Sequence, residues 1–169
     1  MEKFMLVKSG IDQDYSDKIS KLQDEFHFIK SIYVIEEKKD EVILGIRINP
    51  DTPAEKLTYA IVKLEEIFGK KIVLLKSALE EVNYVLSKIS EYLKSHSGGI
   101  KVKEVNEERG EVVVSLQGAC ALCPSAIVTM KAGIRRTLSR YIPWIKKVES
   151  AEKPVEPNFN FKLAPKPQK

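Results

Sequence analysis

Segments with helical and strand periodicity alternate along the chain, and this alternation restricts it to an α/β fold. Apolar residues recur every three or four positions in segments that begin near residues 14, 53, 78 and 125, which is the spacing of an amphipathic helix. Short runs rich in β-branched residues lie between them, as is typical of strands. The sequence therefore predicts helices and strands that are interleaved, in an α/β or α+β architecture.

The first 76 residues are predicted to form a ferredoxin-like domain. Their elements are expected in the order βαββαβ, with strands at 4–8, 32–35, 42–48 and 72–75 and helices at 14–26 and 53–68. This is the split βαβ pattern. No cysteine, glycine-rich phosphate loop or cluster of histidines and carboxylates occurs in this half, so its role is open, with recognition of a partner as one hypothesis.

The second predicted helix of this half has well-marked ends. Thr52 is expected as its N-cap, Pro53 as its first helical residue and Glu55 as the partner that completes a capping box. Gly69 is placed to end the helix. These signals locate the helix more firmly than its apolar stripe alone.

Residues 77–150 are predicted to form a second, smaller domain with the order αββαβ. A capping box at Ser77–Glu80 opens its first helix, and the pair Gly98-Gly99 is expected to be a turn. Two strands, a helix and a final strand follow, at 100–105, 111–117, 124–141 and 144–148. Residues 151–169 contain four prolines and few apolar residues, which predicts a mobile tail.

Charge and hydropathy exclude several classes of function. The net charge is +4, and the excess of lysine and arginine lies in the second half without aromatic residues between the charges. We interpret these charges as a solvated face and expect no nucleic-acid partner. Charged residues interrupt every apolar stretch before it reaches the length of a membrane span, and the first residues lack the pattern of a signal peptide. We therefore expect a cytoplasmic protein that does not enter a membrane.

The chemistry of the chain is concentrated in its two cysteines. Cys120 and Cys123 are separated by two residues and directly precede a predicted helix. A helix N-terminus stabilises thiolate over thiol, and thiolate is the form that binds metal. A CxxC motif alone leaves four interpretations open: binding of an iron–sulfur cluster, binding of zinc, thiol–disulfide exchange, and packing without function.

The number of thiols bears on how a metal could be held. A tetrahedral zinc ion or a cubane cluster normally takes four protein ligands, whereas one chain supplies two cysteines, and His27 and His96 are distant in sequence. A complete thiolate site would therefore require two chains, each of which contributes one pair.

The segment from Ser77 to Ser150 resembles the C-terminal domain family of NifU (the Nfu type). The resemblance includes the Gly98-Gly99 pair, the run Leu-Gln-Gly-Ala-Cys-Ala-Leu-Cys-Pro-Ser at 116–125, the run Met-Lys-Ala-Gly-Ile at 130–134 and Ile142-Pro143. It implies that Cys120 and Cys123 bind a cluster, [4Fe-4S] or else [2Fe-2S], which is shared between the two chains of a homodimer. It also implies partners: the cluster assembly machinery and apo iron–sulfur proteins that receive the cluster.

These observations together predict a scaffold or carrier of iron–sulfur clusters, and not an enzyme, because the sequence shows no catalytic set beyond the thiols. Two alternatives use the same cysteines. One is a thiol–disulfide oxidoreductase, since a CxxC at a helix start is also typical of that class. The other is an interaction module in which zinc bridges two chains.

Overall fold

The computed structural model describes residues 13–94, 98–118 and 124–151. The helices and strands in these ranges are α1 (Gln13–Glu25), β1 (Ile29–Glu37), β2 (Glu41–Ile48), α2 (Ala54–Phe68), β3 (Lys71–Leu75), α3 (Ala78–Lys94), β4 (Gly98–Asn106), β5 (Glu111–Gly118), α4 (Pro124–Tyr141) and β6 (Lys147–Ser150). None of the helices in these ranges is both long enough and apolar enough to cross a membrane.

The first sheet has the order β1-β2-β3 among the described residues. β1 is antiparallel to β2, and β2 is parallel to β3. The predicted α/β class is confirmed, but the ferredoxin-like strand order is wrong. In a split βαβ unit another strand separates the two parallel strands, whereas β2 and β3 are hydrogen-bonded neighbours along the full length of β3. The predicted strand at 4–8 lies outside the described residues.

The second sheet repeats this pattern with the order β4-β5-β6. β4 and β5 are antiparallel, β5 and β6 are parallel, and α4 connects the parallel pair. The elements follow one another in the predicted order αββαβ. The predicted turn at Gly98-Gly99 is wrong, because both glycines are extended and pair with Gly118 and Gln117 at the start of β4.

Two capping boxes were predicted. The structure agrees with the one at α3, whereas the one at α2, with Thr52 as N-cap and Glu55 as its partner, is wrong. At α3, the Ser77 hydroxyl accepts a hydrogen bond from the Glu80 N–H over 3.2 Å, as in a capping box. At α2 the N-cap is Pro53, without a side-chain cap, and the Thr52 hydroxyl instead donates to the Asn49 carbonyl over 2.7 Å. Gly69 ends α2 in the left-handed conformation, as predicted.

The final strand begins later than its sequence predicts. Trp144 lies in a turn before β6, where the N–H groups of Lys146 and Lys147 both donate to the Gly110 carbonyl. Its indole N–H makes a side-chain contact with α3 that is described below. Only the last two residues of the predicted strand at 144–148 therefore belong to β6, and the apolar residues before them contribute to the core.

Two apolar cores hold these layers together. One core lies between the first sheet and helices α1 and α2, with Leu44, Ile46 and Leu64 among its fully buried side chains. The other contains residues of both sheets and of α3 and α4, so it crosses the predicted boundary near residue 76. The first sheet is therefore buried on both faces.

A carboxylate lies inside this second core. Among the described residues, Glu81 of α3 is the one charged residue that is buried, and its exposure is 0%. Its carboxylate accepts hydrogen bonds from the Tyr33 hydroxyl over 2.5 Å, from Arg47 Nη1 over 2.7 Å and from Trp144 Nε1 over 2.7 Å. We call these four residues the Glu81 network; it joins β1, β2, α3 and the segment before β6.

The surroundings of the Glu81 network are tightly fitted. A Cβ atom at Gly45 would lie 2.5 Å from Glu81 Oε1 and from the Tyr33 ring, so this strand position requires glycine. Burial raises the pKa of Tyr33 far above its usual value, and the Glu81 charge raises it further. Burial lowers the pKa of Arg47, but hydrogen bonds to Glu81 and Glu107 outweigh that effect and raise it overall. Tyr33 is therefore neutral and Arg47 charged.

Glu81→Ala is expected to lower the free energy of unfolding by about 3 kcal/mol, because it leaves the partly buried Arg47 charge without its main partner. Arg47 Nη2 already lacks a hydrogen-bond partner among the described residues, so little compensation is at hand. Urea unfolding at pH 7 measures the loss. The control is Glu66→Ala, which removes an exposed carboxylate from α2; an equal effect of both variants would contradict this account.

A second polar contact between the halves involves Glu36 of β1. Its carboxylate accepts from Lys88 Nζ over 2.8 Å and from the Tyr84 hydroxyl over 2.5 Å, both on α3. Burial raises the pKa of Glu36, but these hydrogen bonds lower it by more, so that it lies below its usual value of 4.5. Ionised Glu36 therefore stabilises the folded state.

Because the pKa of Glu36 is lower in the folded chain, its stabilising effect is fully present above pH 4.5 and is lost as the pH falls through the folded-state pKa. Glu36→Gln should accordingly lower the urea midpoint at pH 7 and change it much less at pH 3. Urea titrations of both proteins at several pH values measure this convergence. A difference that is constant across this range would show that Glu36 acts by packing alone.

Candidate functional site

The two cysteines belong to a segment that the second sheet and α4 bracket. Cys120 and Cys123 lie outside the described residues, so their role as ligands stays a prediction. The described chain ends on one side at Gly118, the last residue of β5, and resumes on the other at Pro124, the first residue of α4. The five residues 119–123 therefore join the end of a paired strand to the start of a helix.

The strand end is held by its neighbour. Gly98 pairs with Gly118 and Gly99 pairs with Gln117, so the ladder between β4 and β5 continues to the last residue before the cysteine segment. Gly118 has a φ of +69°, a conformation that residues with a Cβ adopt at a cost. The last residue of β5 therefore has a backbone conformation that favours glycine.

The helix start is held by the core. Ile127, Ile134 and Leu138 are buried on the second sheet, and an ion pair between Lys131 and Glu149 joins α4 to β6. Hydrogen bonds from Lys131 and Lys147 lower the pKa of Glu149. The first turn of α4 contains no acidic residue, so the partial positive charge of this helix end is not offset by a carboxylate of that turn.

The two histidines do not extend the candidate site in the described part of the chain. His27 is exposed in the turn between α1 and β1, and His96 falls outside the described residues. The described ranges contain no group of three or more histidine, cysteine, aspartate or glutamate side chains that could hold a metal ion.

Sequence reasoning missed the Glu81 network, which fixes the orientation of α3 and of the segment before β6. Glu81 directly follows the capping residue Glu80, and its sequence neighbourhood is that of any helix start rich in carboxylates. The signal that could have revealed its burial was the position of Glu81 in the apolar stripe of α3, next to Val82 and Val85.

Comparison with known proteins gives a consistent result for the second half. The family model described as NifU-like domain matches residues 82–149. NifU-like protein 2, chloroplastic, of Arabidopsis thaliana is 46% identical over 72 residues, which are 42% of this chain and 29% of that protein. Fe/S biogenesis protein NfuA of Xylella fastidiosa (strain M12) is 32% identical over 108 residues, or 63% of this chain and 54% of that protein.

A further similarity is shorter. The NFU1 iron-sulfur cluster scaffold homolog, mitochondrial, of Drosophila grimshawi is 44% identical over 45 residues, which are 27% of this chain and 15% of that protein. The chain therefore spans at most about half the length of these curated relatives. The similarity therefore covers only part of each of those proteins.

Gly118→Ala is expected to lower the free energy of unfolding by about 1–2 kcal/mol, because alanine is strained at this positive φ. The neighbouring position offers a matched control. A Cβ at Gly99 would meet Gln117 at 3.6 Å, an ordinary contact, so Gly99→Ala should be neutral or slightly stabilising. Chemical unfolding of both variants measures the difference. Equal destabilisation would show that the ladder end tolerates no side chain at all.

Proposed function

We propose that the chain is a carrier in iron–sulfur cluster biogenesis, on the premise that residues 82–149, which match the family model described as NifU-like domain, form such a domain. Its cargo is a cluster bound by Cys120 and Cys123. The observation that supports this most directly is the position of the CxxC motif, between the end of β5 and the start of α4 within the matched domain. The names of the related proteins, Fe/S biogenesis protein and iron-sulfur cluster scaffold homolog, agree with it.

The helix start explains why this location suits a thiolate ligand. The first N–H groups of a helix have no partner within the helix, and they can donate to a thiolate or to cluster sulfides. The absence of acidic residues from the first turn of α4 leaves this favourable field unopposed there. The Lys131–Glu149 ion pair and the buried face of α4 keep the helix start in place while the cargo is exchanged.

The proposed site is shared by two chains. A cluster with four thiolate ligands needs two CxxC pairs, and each chain has one. A two-fold axis through the cluster is the simplest arrangement. Four-iron clusters match this count directly, and a two-iron cluster can also take four thiolates. Loading is then coupled to dimer formation, and loosening of the contact between chains releases the cargo.

The proposed carrier binds and transfers its cargo without turnover chemistry of its own. Its partners would be the machinery that assembles clusters and the apo-proteins that receive them, in the cytoplasm. A thiol–disulfide oxidoreductase and a zinc-bridged module use the same two cysteines, and the experiment below separates them from the carrier.

Anaerobic reconstitution with iron and sulfide is expected to give a brown dimer with about four iron atoms per two chains. Cys120→Ser and Cys123→Ser should each abolish the colour and the dimerisation that accompanies loading. Visible spectra, iron and zinc analysis and size-exclusion chromatography measure these changes. The control is Val128→Ser, which alters an exposed residue of α4 and should leave loading unchanged.

Two outcomes would contradict the proposed carrier function. A colourless protein that cycles a disulfide between Cys120 and Cys123 would be an oxidoreductase. A protein that retains zinc after exposure to iron and sulfide, and that loses its dimer on Cys120→Ser, would be a zinc-bridged module. Transfer to an apo-protein, followed by the appearance of that protein's activity, tests the carrier role itself.

A further inference from the structure

The two halves of the chain contain the same arrangement of strands. In each half a hairpin is followed by a helix and by a third strand parallel to the second. The parallel pairing starts at the first residue of both strands in each case, Glu41 with Lys71 and Glu111 with Lys147. The hairpins also share an irregularity: β1 shifts register between its pairings with Leu44 and Ile43, and β4 shifts between its pairings with Val114 and Val113.

Buried strand residues of the two halves are 70 positions apart. Val42, Leu44 and Ile46 point into the first core, and Val112, Val114 and Leu116 point into the second. All six are at most 3% exposed. The strands also end in register, at Ile48 and Gly118.

The helices after these strands keep the same spacing. α2 starts at Ala54 and α4 at Pro124, again 70 positions apart. The residues of α2 that face its core, with those of α4 at the matching positions, form the pairs Leu57 and Ile127, Ala60 and Met130, Leu64 and Ile134, and Phe68 and Leu138. The spacing is therefore constant from the second strand of the module through its second helix.

Since five residues join strand and helix in both halves, the loops can be aligned without a gap. Residues 49–53 correspond to residues 119–123. We infer that residues 13–75 are a second copy of the NifU-like module, in which Pro50 and Pro53 stand at the positions of Cys120 and Cys123. This inference rests on the proposed function, because it identifies loop 49–53 as a cluster loop without its ligands.

Proline removes more than the thiol at these positions. It has no backbone N–H to donate to a thiolate or a cluster sulfide. Pro53 is the N-cap of α2, with φ of −61° and ψ of 144°, an extended conformation that cysteine also adopts. The loop is exposed at Asn49, Pro50, Asp51 and Pro53. The scaffold of a cluster module is thus retained while both of its ligands are absent.

The copy has a consequence for stoichiometry. A chain with two intact loops would hold four thiols, enough for a complete ligand set within one molecule. With prolines in one loop, the chain has a single pair for its two modules, so a four-thiolate cluster requires a second chain. The N-terminal copy contributes its surface to the protein without binding cargo.

The test restores the ligands in the N-terminal loop. In a chain with Cys120→Ser and Cys123→Ser, the further changes Pro50→Cys and Pro53→Cys are expected to recover cluster binding, at about two iron atoms per chain on reconstitution. The matched control is Asp51→Cys with Ala54→Cys in the same background, which has the same spacing one residue later. It should take up at least five-fold less iron. Circular dichroism confirms that both variants are folded.

Each outcome bears on a different conclusion. If the wild-type chain binds a cluster but the Pro50→Cys, Pro53→Cys variant does not, the inference fails and the proposed function stands. Equal iron uptake by the variant and its shifted control would also overturn the inference, because any exposed pair would then suffice. If the wild-type chain itself binds no cluster, the proposed function fails first. If both variants unfold, each cysteine pair is instead placed in the chain that keeps Cys120 and Cys123. The inference then predicts about twice the wild-type iron for the pair at positions 50 and 53, and no such increase for the shifted pair.

Discussion

The buried carboxylate of Glu81 is the interaction on which the arrangement of the two halves depends. An ionised group without access to water must be paired and hydrogen-bonded, or the folded state is strongly destabilised. Tyr33 and Arg47 come from the first sheet, and Trp144 comes from the segment that leads into β6. Because these donors have to meet at one carboxylate, α3 can pack between the sheets in one orientation. Gly45 makes that close approach feasible.

The Glu81 network lies at one end of the second sheet, and Gly118, the residue before the cysteine segment, ends β5 at the other. Arg47 also pairs with Glu107 in the turn before β5, and Trp144 precedes the strand that pairs with Glu111. The cysteine segment follows Gly118, at the other end of β5. Since a strand rises about 3.3 Å per residue, the ends of β5 are about 23 Å apart. The contact that joins the halves is thus at the end of β5 opposite to Gly118.

The fold class and most elements of the second half could be predicted, because they depend on local periodicity. The stripe of α4, the alternation in β5 and the cap at Ser77 are signals within a few residues of one another. The strand order of the first half was mispredicted because the same sequence of elements is compatible with several sheets. Only the direct pairing of β2 with β3 distinguishes them. The repeat at a spacing of 70 residues was visible in principle, but few of its matched residues are identical.

The sequence by itself determined the chemistry that is available to this protein: one CxxC pair per chain, at the start of a helix, in a run that is typical of a NifU-like domain. The tertiary structure decided the contacts between residues that are distant in sequence. It showed that Glu81 is buried and which side chains satisfy it, and that the halves share one arrangement of strands. The reason is physical: periodicity reports which face of an element is buried, whereas the partner across that face is chosen by contacts between residues distant in sequence.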